Sequence, residues 1–310
     1  MCRVNEQFRR GIIVGVCTYV VWGLLTAYWK LLHRFRAFEL IGWRIACAAL
    51  VMVVVVSVSG GWRAIRPPLA DPAVRRRVAL ASVALTVNWT SYVWAVVHDH
   101  VLETALGYFI APLGTMAVGV VVLHERVRRA QVTAGALATA AIVVLSASYG
   151  RVPWLALAIA VSWTSYWYLK RQVPLTPVHS MAAETLLLAL PALVLIVTMA
   201  PQPSSVAHTA SAGQLVLVML TGPATVAPLM TFAYAAKRLP LTLIGPMQYI
   251  VPTINFLLGW LAYGEALTWQ KVVGFGLVWT GLTVMTTDMV RHARNARRGP
   301  ITTRYAEAAS

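Results

Sequence analysis

A chain of 310 residues in which 59% are hydrophobic and only 12% charged has too little polar surface to cover a water-soluble globule, so composition excludes a soluble protein. The net charge of +16 invites a nucleic-acid reading, which the placement of the basic residues along the chain removes. Three cysteines, with Cys17 and Cys47 inside apolar runs, imply no disulfide framework.

A transmembrane helix needs about 20 predominantly apolar residues. Ten such runs occur, at 11–29, 38–58, 78–97, 105–123, 130–148, 152–169, 180–200, 214–236, 241–263 and 269–288. Lipid cannot satisfy open backbone groups, so the predicted fold is all-α, a polytopic membrane protein. Residues 1–10 read as a cytoplasmic tail. The run after Arg9 and Arg10 exceeds the ~7–15 residues of a signal-peptide core and reads as the first span.

The second span carries Trp43 and Arg44. An arginine at a helix centre costs about 2.5–3.5 kcal/mol on insertion scales, so a buried one faces protein or water and has a partner. Arg44 lies six residues into its span, about 9 Å along a helix, and two readings stand: a snorkelling anchor or a cavity residue. An arginine-rich connection, Arg63 to Arg77, follows without an evident role. The third span holds Asn88, Trp89 and Trp94. A buried amide must be hydrogen-bonded, either as glue between helices or at a binding site, and deep tryptophans suit the wall of an aromatic cavity. His98-Asp99-His100 lies in a short turn and reads as a solvated loop rather than a metal site.

The fourth span opens GYFIAPL (107–113), and QYIVPT (248–253) is its looser copy. Pro112 precedes Glu125 by 13 residues, and Pro252 precedes Glu265 by 13; Phe109 and Ile110 match Tyr249 and Ile250 at the same offset of 140. The chain is therefore read as duplicated, with repeats 11–148 and 152–288. Five spans per repeat make the second copy run antiparallel to the first, the inverted-repeat plan of many secondary transporters, whose sites lie where the halves meet. Each proline frees a carbonyl about one turn earlier, near Tyr108 and Gln248, as a helix break lining a cavity or as a packing kink. Glu125 and Glu265 stand beside helix starts at 130 and 269, where a carboxylate favours the N-terminus, and are predicted structural caps.

Glu184, near the start of the seventh span, is the counterpart-span partner expected for Arg44, or else an acid that carries a proton. Twenty Lys and Arg fall in the two tails and alternate connections against five in the others, which places both termini, including the basic tail 289–310, in the cytoplasm. His124-Glu125 begins like a zincin motif, but Arg128 stands where the second histidine belongs, and no Walker A stretch appears. No cofactor or metal is expected; the expected partners are a small solute, the bilayer and, as candidate coupling ion, the proton.

The stretches ELIGWR (39–44), NW (88–89), GYFIAPL, Glu125, ETLLLALP (184–191) and LPLTLIGPMQYIVPTINFLLG, followed by Gly264-Glu265, resemble the EamA family of the drug/metabolite transporter superfamily, in particular its RarD-like branch. The resemblance covers roughly residues 9–288. It implies a ten-span permease of the bacterial inner membrane, built as two inverted five-helix bundles around a central cavity. By their own chemistry and placement, and not by the resemblance, Trp43, Arg44, Asn88, Trp89, Trp94, Tyr108, Glu184, Gln248 and Tyr249 are assigned to that cavity. A membrane enzyme or a non-transporting scaffold or receptor is the alternative, but the chain offers neither a nucleophile or metal constellation nor large loops.

Overall fold

The computed structural model describes residues 2–122, 124, 129–150, 152–236, 238, 239, 244 and 247–298. The first five helices are α1 (Cys2–Leu31), α2 (Ala37–Val58), α3 (Trp62–Ala70), α4 (Pro72–Val97) and α5 (Val101–Val121). They are followed by α6 (Arg129–Tyr149), α7 (Trp154–Arg171), α8 (Pro177–Met199), the single turn α9 (Val206–Thr209) and α10 (Ala212–Ala236). The chain closes with α11 (Ile250–Leu257), which runs into a π-turn (Leu258–Ala262), and α12 (Trp269–Arg298). No strand occurs among the described residues.

Five stretches are long and apolar enough to cross a membrane: Glu6–Leu31, Ala37–Val58, Pro72–Val97, Pro177–Met199 and Ala212–Ala236. The described residues of the run at 105–123, and the runs at 130–148, 152–169 and 269–288, also fall largely on helices, while the run at 241–263 is described only in part. Two helices begin with the same local signal. Asp71 accepts from the Ala73 amide at 2.8 Å ahead of Pro72, and Thr176 accepts from the His179 amide at 3.3 Å ahead of Pro177. A side-chain acceptor at the N-cap with proline in the first turn satisfies one orphan amide and removes another. The arginine-rich connection is itself structured: Ile65 of α3 is buried, Arg63 and Arg66 face outward, and the Trp62 indole donates to Ser57 Oγ at 3.1 Å.

The packing has a two-fold pattern. Pairing each span with the one five later makes α1 the counterpart of α7, α2 of α8, α4 of α10, α5 of α11 and α6 of α12. Helices α4 and α5 pack on α7, just as α10 and α11 pack on α1; α2 packs on α10 as α8 packs on α4; and α2–α8, α5–α11 and α6–α12 pack as counterpart pairs. The principal interfaces therefore run between the halves. The two five-helix repeats thus interlock. Small residues make this possible, because without a hydrophobic drive in lipid, helices associate by close backbone approach. A methyl group at Gly222 would lie 2.5 Å from the Cys47 carbonyl oxygen, and one at Gly107 2.9 Å from the Ala156 carbonyl oxygen.

Helix α2 runs antiparallel to α8. Its N-terminal turn reaches the far end of α8, with Gly42 against Ala192 and Ile196 and the Glu39 carboxylate accepting from the Val206 amide at 2.8 Å, while Gly61 at its other end meets His179. The bundle thus has a Glu39 end, which also carries the α4–α5 turn, and a Thr176 end.

Candidate functional site

The aromatic and polar side chains that composition leaves unexplained converge in the interior. Arg44 is buried, with its guanidinium 4.1 Å from the centre of the Trp89 ring and 5.1 Å from that of Trp29. Its Nε donates to Thr225 Oγ1 at 3.1 Å, and the phenols of Tyr108, Tyr92 and Tyr28 lie near enough to interact with its charge. Arg44 is therefore no snorkelling anchor. Nη1 is buried without an acceptor, and the same holds for the Trp29 indole Nε1.

Two hydrogen-bond chains tie this centre to both halves. Tyr108 donates to Asn88 Oδ1 at 3.1 Å, and Asn88 Nδ2 donates to the Ile159 carbonyl at 3.1 Å and to Ser162 Oγ at 3.2 Å. Tyr92 and Thr26 share a 2.7 Å bond, Thr26 donates to Asn255 Oδ1 at 2.6 Å, and Asn255 donates to Thr104 Oγ1 at 3.3 Å. Asn88 and Asn255 are fully buried and each uses both its amide nitrogen and its oxygen, as buried amides must. Asn88 joins α4, α5 and α7, and Asn255 joins α1, α5 and α11.

The pairing of Arg44 with Glu184 is corrected. Glu184 accepts instead from Lys170 Nζ at 2.7 Å, Ser180 Oγ at 2.7 Å and Tyr166 at 3.1 Å. Geometry gives the reason. Arg44 and Glu184 each stand seven residues into antiparallel helices, about 10 Å from opposite ends of the bundle, so they occupy different depths. An aromatic ladder spans the interval: Tyr92 to Tyr108 at 5.9 Å, Tyr108 to Trp163 at 6.2 Å, and Trp163 to Tyr166 at 5.8 Å between ring centres.

Trp43, Trp89, Asn88 and Tyr108 all stand in or against this core. Trp94 also packs against this core and stacks on His98 at 4.3 Å beside the α4–α5 turn, and Gln248 is exposed. Tyr249 is half-buried against a second core around Phe256 and Phe275. Helix α5 continues through Pro112 without a break, whereas the chain turns at Gln248 and Tyr249 and restarts as α11 with Pro252 in its first turn, where no amide donor is needed. Glu125 lies outside the described residues.

Glu265 is a cap, but not of the helix that follows it. Its carboxylate accepts from the Val101 amide and, at 3.0 Å, from the Leu102 amide, so it closes the N-terminus of α5 in the other repeat. The π-turn sets this up, since Gly259 lies against Leu102 and the Glu265 amide bonds back to the Gly259 carbonyl at 2.9 Å. Burial raises the Glu265 carboxyl above its ordinary value, opposed by these two amides and by the charges of Lys271 and His100. A cavity of about 350 Å³ opens here, lined in part by Asp99, Glu103, Tyr263 and Glu265. Lys30 pairs with Asp99 at its edge and lies 5.4 Å from the centre of the Tyr263 ring. Among the described residues no group of three or more His, Cys, Asp or Glu side chains forms a metal site.

Interlocked repeats of apolar helices closing on a buried cation, aromatic rings and paired amides define a membrane transporter. The chain belongs to the EamA-like transporter family, whose model matches it twice, at residues 9–147 and 151–287. It is 39% identical to Protein RarD of Streptomyces exfoliatus, over 94% of this chain and 93% of the relative, and 34% identical to Protein RarD of Salmonella typhimurium, over 92% and 97%. An uncharacterized transporter of Bacillus subtilis, YojE, is 33% identical over 94% of this chain and 99% of its own. A solved crystal structure matches with a TM-score of 0.57 at 20% identity, covering 88% of this chain and 96% of its own, a likeness of fold alone.

Proposed function

We propose that the protein is a secondary permease that moves a small organic solute across the bacterial cytoplasmic membrane by alternating access, with ten spans in two inverted repeats. The observation that carries this reading is Arg44, a buried guanidinium held among aromatic rings where both repeats converge. The two-fold pattern of packing supports the inversion. Because the repeats interlock, the bodies that rock are α4, α5 and α7 against α1, α10 and α11, with α2 and α8 as the wall between them. At the Glu39 end Glu265 bonds the start of α5 and Lys30 of α1 pairs with Asp99 at the α4–α5 turn, so both tie one of these bodies to the other and hold that end shut. The proton is the coupling ion of this reading, carried at Glu184.

Proteoliposomes containing the protein are expected to show saturable exchange of at least one labelled compound from a panel of neutral, cationic and anionic aromatic solutes. Absence of exchange above empty liposomes for the whole panel, with protein of intact fold, would overturn the permease.

Charge placement also orients the chain, with the Thr176 end cytoplasmic. Single cysteines replacing exposed Arg75 and exposed Ser211, with Cys2, Cys17 and Cys47 removed, are expected to label with an impermeant thiol reagent from opposite sides of intact cells. Labelling of both from outside contradicts this topology.

A further inference from the structure

We infer that the solute is an organic monoanion, a carboxylate on a flat apolar body, bound by the guanidinium of Arg44. This rests on the permease reading and adds the substrate class. Arg44 is only 7% exposed, and a cation taken out of water costs several kcal/mol unless a counter-charge and hydrogen bonds offset it. No carboxylate pairs with it among the described residues. The acids on neighbouring elements are engaged elsewhere: Glu39 Oε1 by the Val206 amide, Glu184 by Lys170, Glu265 by the start of α5, and the buried Glu103 by the charge of Lys271. Thr225 takes Nε and leaves the outer edge of the guanidinium, where Nη1 has no acceptor.

The Trp29 indole Nε1 against the same guanidinium also lacks an acceptor, and arginine and tryptophan side chains are donors only. A site with donors and one uncompensated positive charge selects an acceptor with one negative charge. It rejects a cation, and a neutral solute leaves the charge unpaired. A carboxylate matches the planar fork in two parallel hydrogen bonds. The surrounding rings of Trp89, Tyr92, Tyr108 and Trp29 supply flat apolar walls, which favour a planar body over a sugar or a polyamine. Lys170 already neutralises Glu184 at the far end of the ladder, so no second charge is demanded there.

The test is binding to purified protein, which does not depend on transport. Benzoate, phenylacetate and indole-3-acetate, each compared with its primary amide, are assayed by thermal shift and calorimetry. At least one carboxylate should raise the melting temperature in a saturable way while its amide does not, because a ligand of the folded state stabilises it by mass action. Arg44→Gln should weaken that binding at least tenfold. Arg44→Lys keeps the charge without the fork and should fall between. Thr225→Val removes the acceptor that orients Nε while leaving the charge in place; it should weaken binding severalfold at a smaller loss of stability than removal of the guanidinium, which covers the case in which Arg44 variants do not fold. Equal stabilisation by the amides, no response to any of the carboxylates, or undiminished carboxylate binding in Arg44→Gln would overturn the inference. Exchange of neutral or cationic solutes alone would overturn it while leaving the permease intact.

Discussion

Lys170→Met destabilises the protein by about 3–5 kcal/mol, the cost of leaving a buried charge without its partner. The Glu184 side chain is fully inaccessible, and in this variant it keeps only the hydroxyls of Ser180 and Tyr166. Lys170, by contrast, retains 21% side-chain exposure one residue from the end of α7, so it can reach the interface when Glu184 is removed. Glu184→Gln should therefore cost less than Lys170→Met. The double variant Lys170→Met/Glu184→Gln should recover most of the loss, because a neutral amide still bonds both hydroxyls. Melting temperatures of the four proteins in one detergent form the cycle, and a double variant no more stable than Lys170→Met shows that the two charges are not coupled. The same variants bear on coupling: flux through Glu184→Gln should no longer respond to a proton gradient that drives the wild type.

The apolar runs were legible because span length and flanking charge are set locally, one run at a time. Duplication was legible because GYFIAPL and QYIVPT keep their distance to Glu125 and Glu265. Arg44, Asn88 and Trp89 stood out as polar or large residues where lipid tolerates few, and the structure brings them together. The partner of Arg44 was misread because counterpart residues of antiparallel helices sit at opposite depths, which a repeat offset along the chain does not show. Lys170 read as one of the flanking positive charges, although it points inward to Glu184. Thr225 and Trp29 gave no signal, since threonine and tryptophan are ordinary in membrane helices and only the register of α1 and α10 against α2 makes them neighbours of Arg44.

Glu265→Ala should cost roughly 2–4 kcal/mol, more than a usual cap substitution of about 1 kcal/mol. The carboxylate satisfies two amides at once, and both belong to residues with no exposed surface, Val101 and Leu102, so water cannot replace it easily. A buried donor left without an acceptor costs about 1–3 kcal/mol. The sequence neighbourhood hides this role, because the helix capped lies more than 160 residues away and in the other repeat. Glu265→Asp should lose much of the same stability, since the shorter side chain falls short of α5, and Glu265→Gln should lose less. Dependence on pH separates the charge from the geometry. Burial raises the folded-state pKa of this carboxyl above the ordinary 4.5, so the folded chain holds that proton more tightly than the unfolded one. Its titration therefore favours the fold at acid pH, and that part is lost as pH rises through the folded value. The stability of the wild type relative to Glu265→Gln should accordingly decline as pH rises above about 4.5, measured as the difference in melting temperature. A difference that grows with pH would mean that the two amides and the charges of Lys271 and His100 outweigh burial, leaving the carboxyl with a lowered pKa.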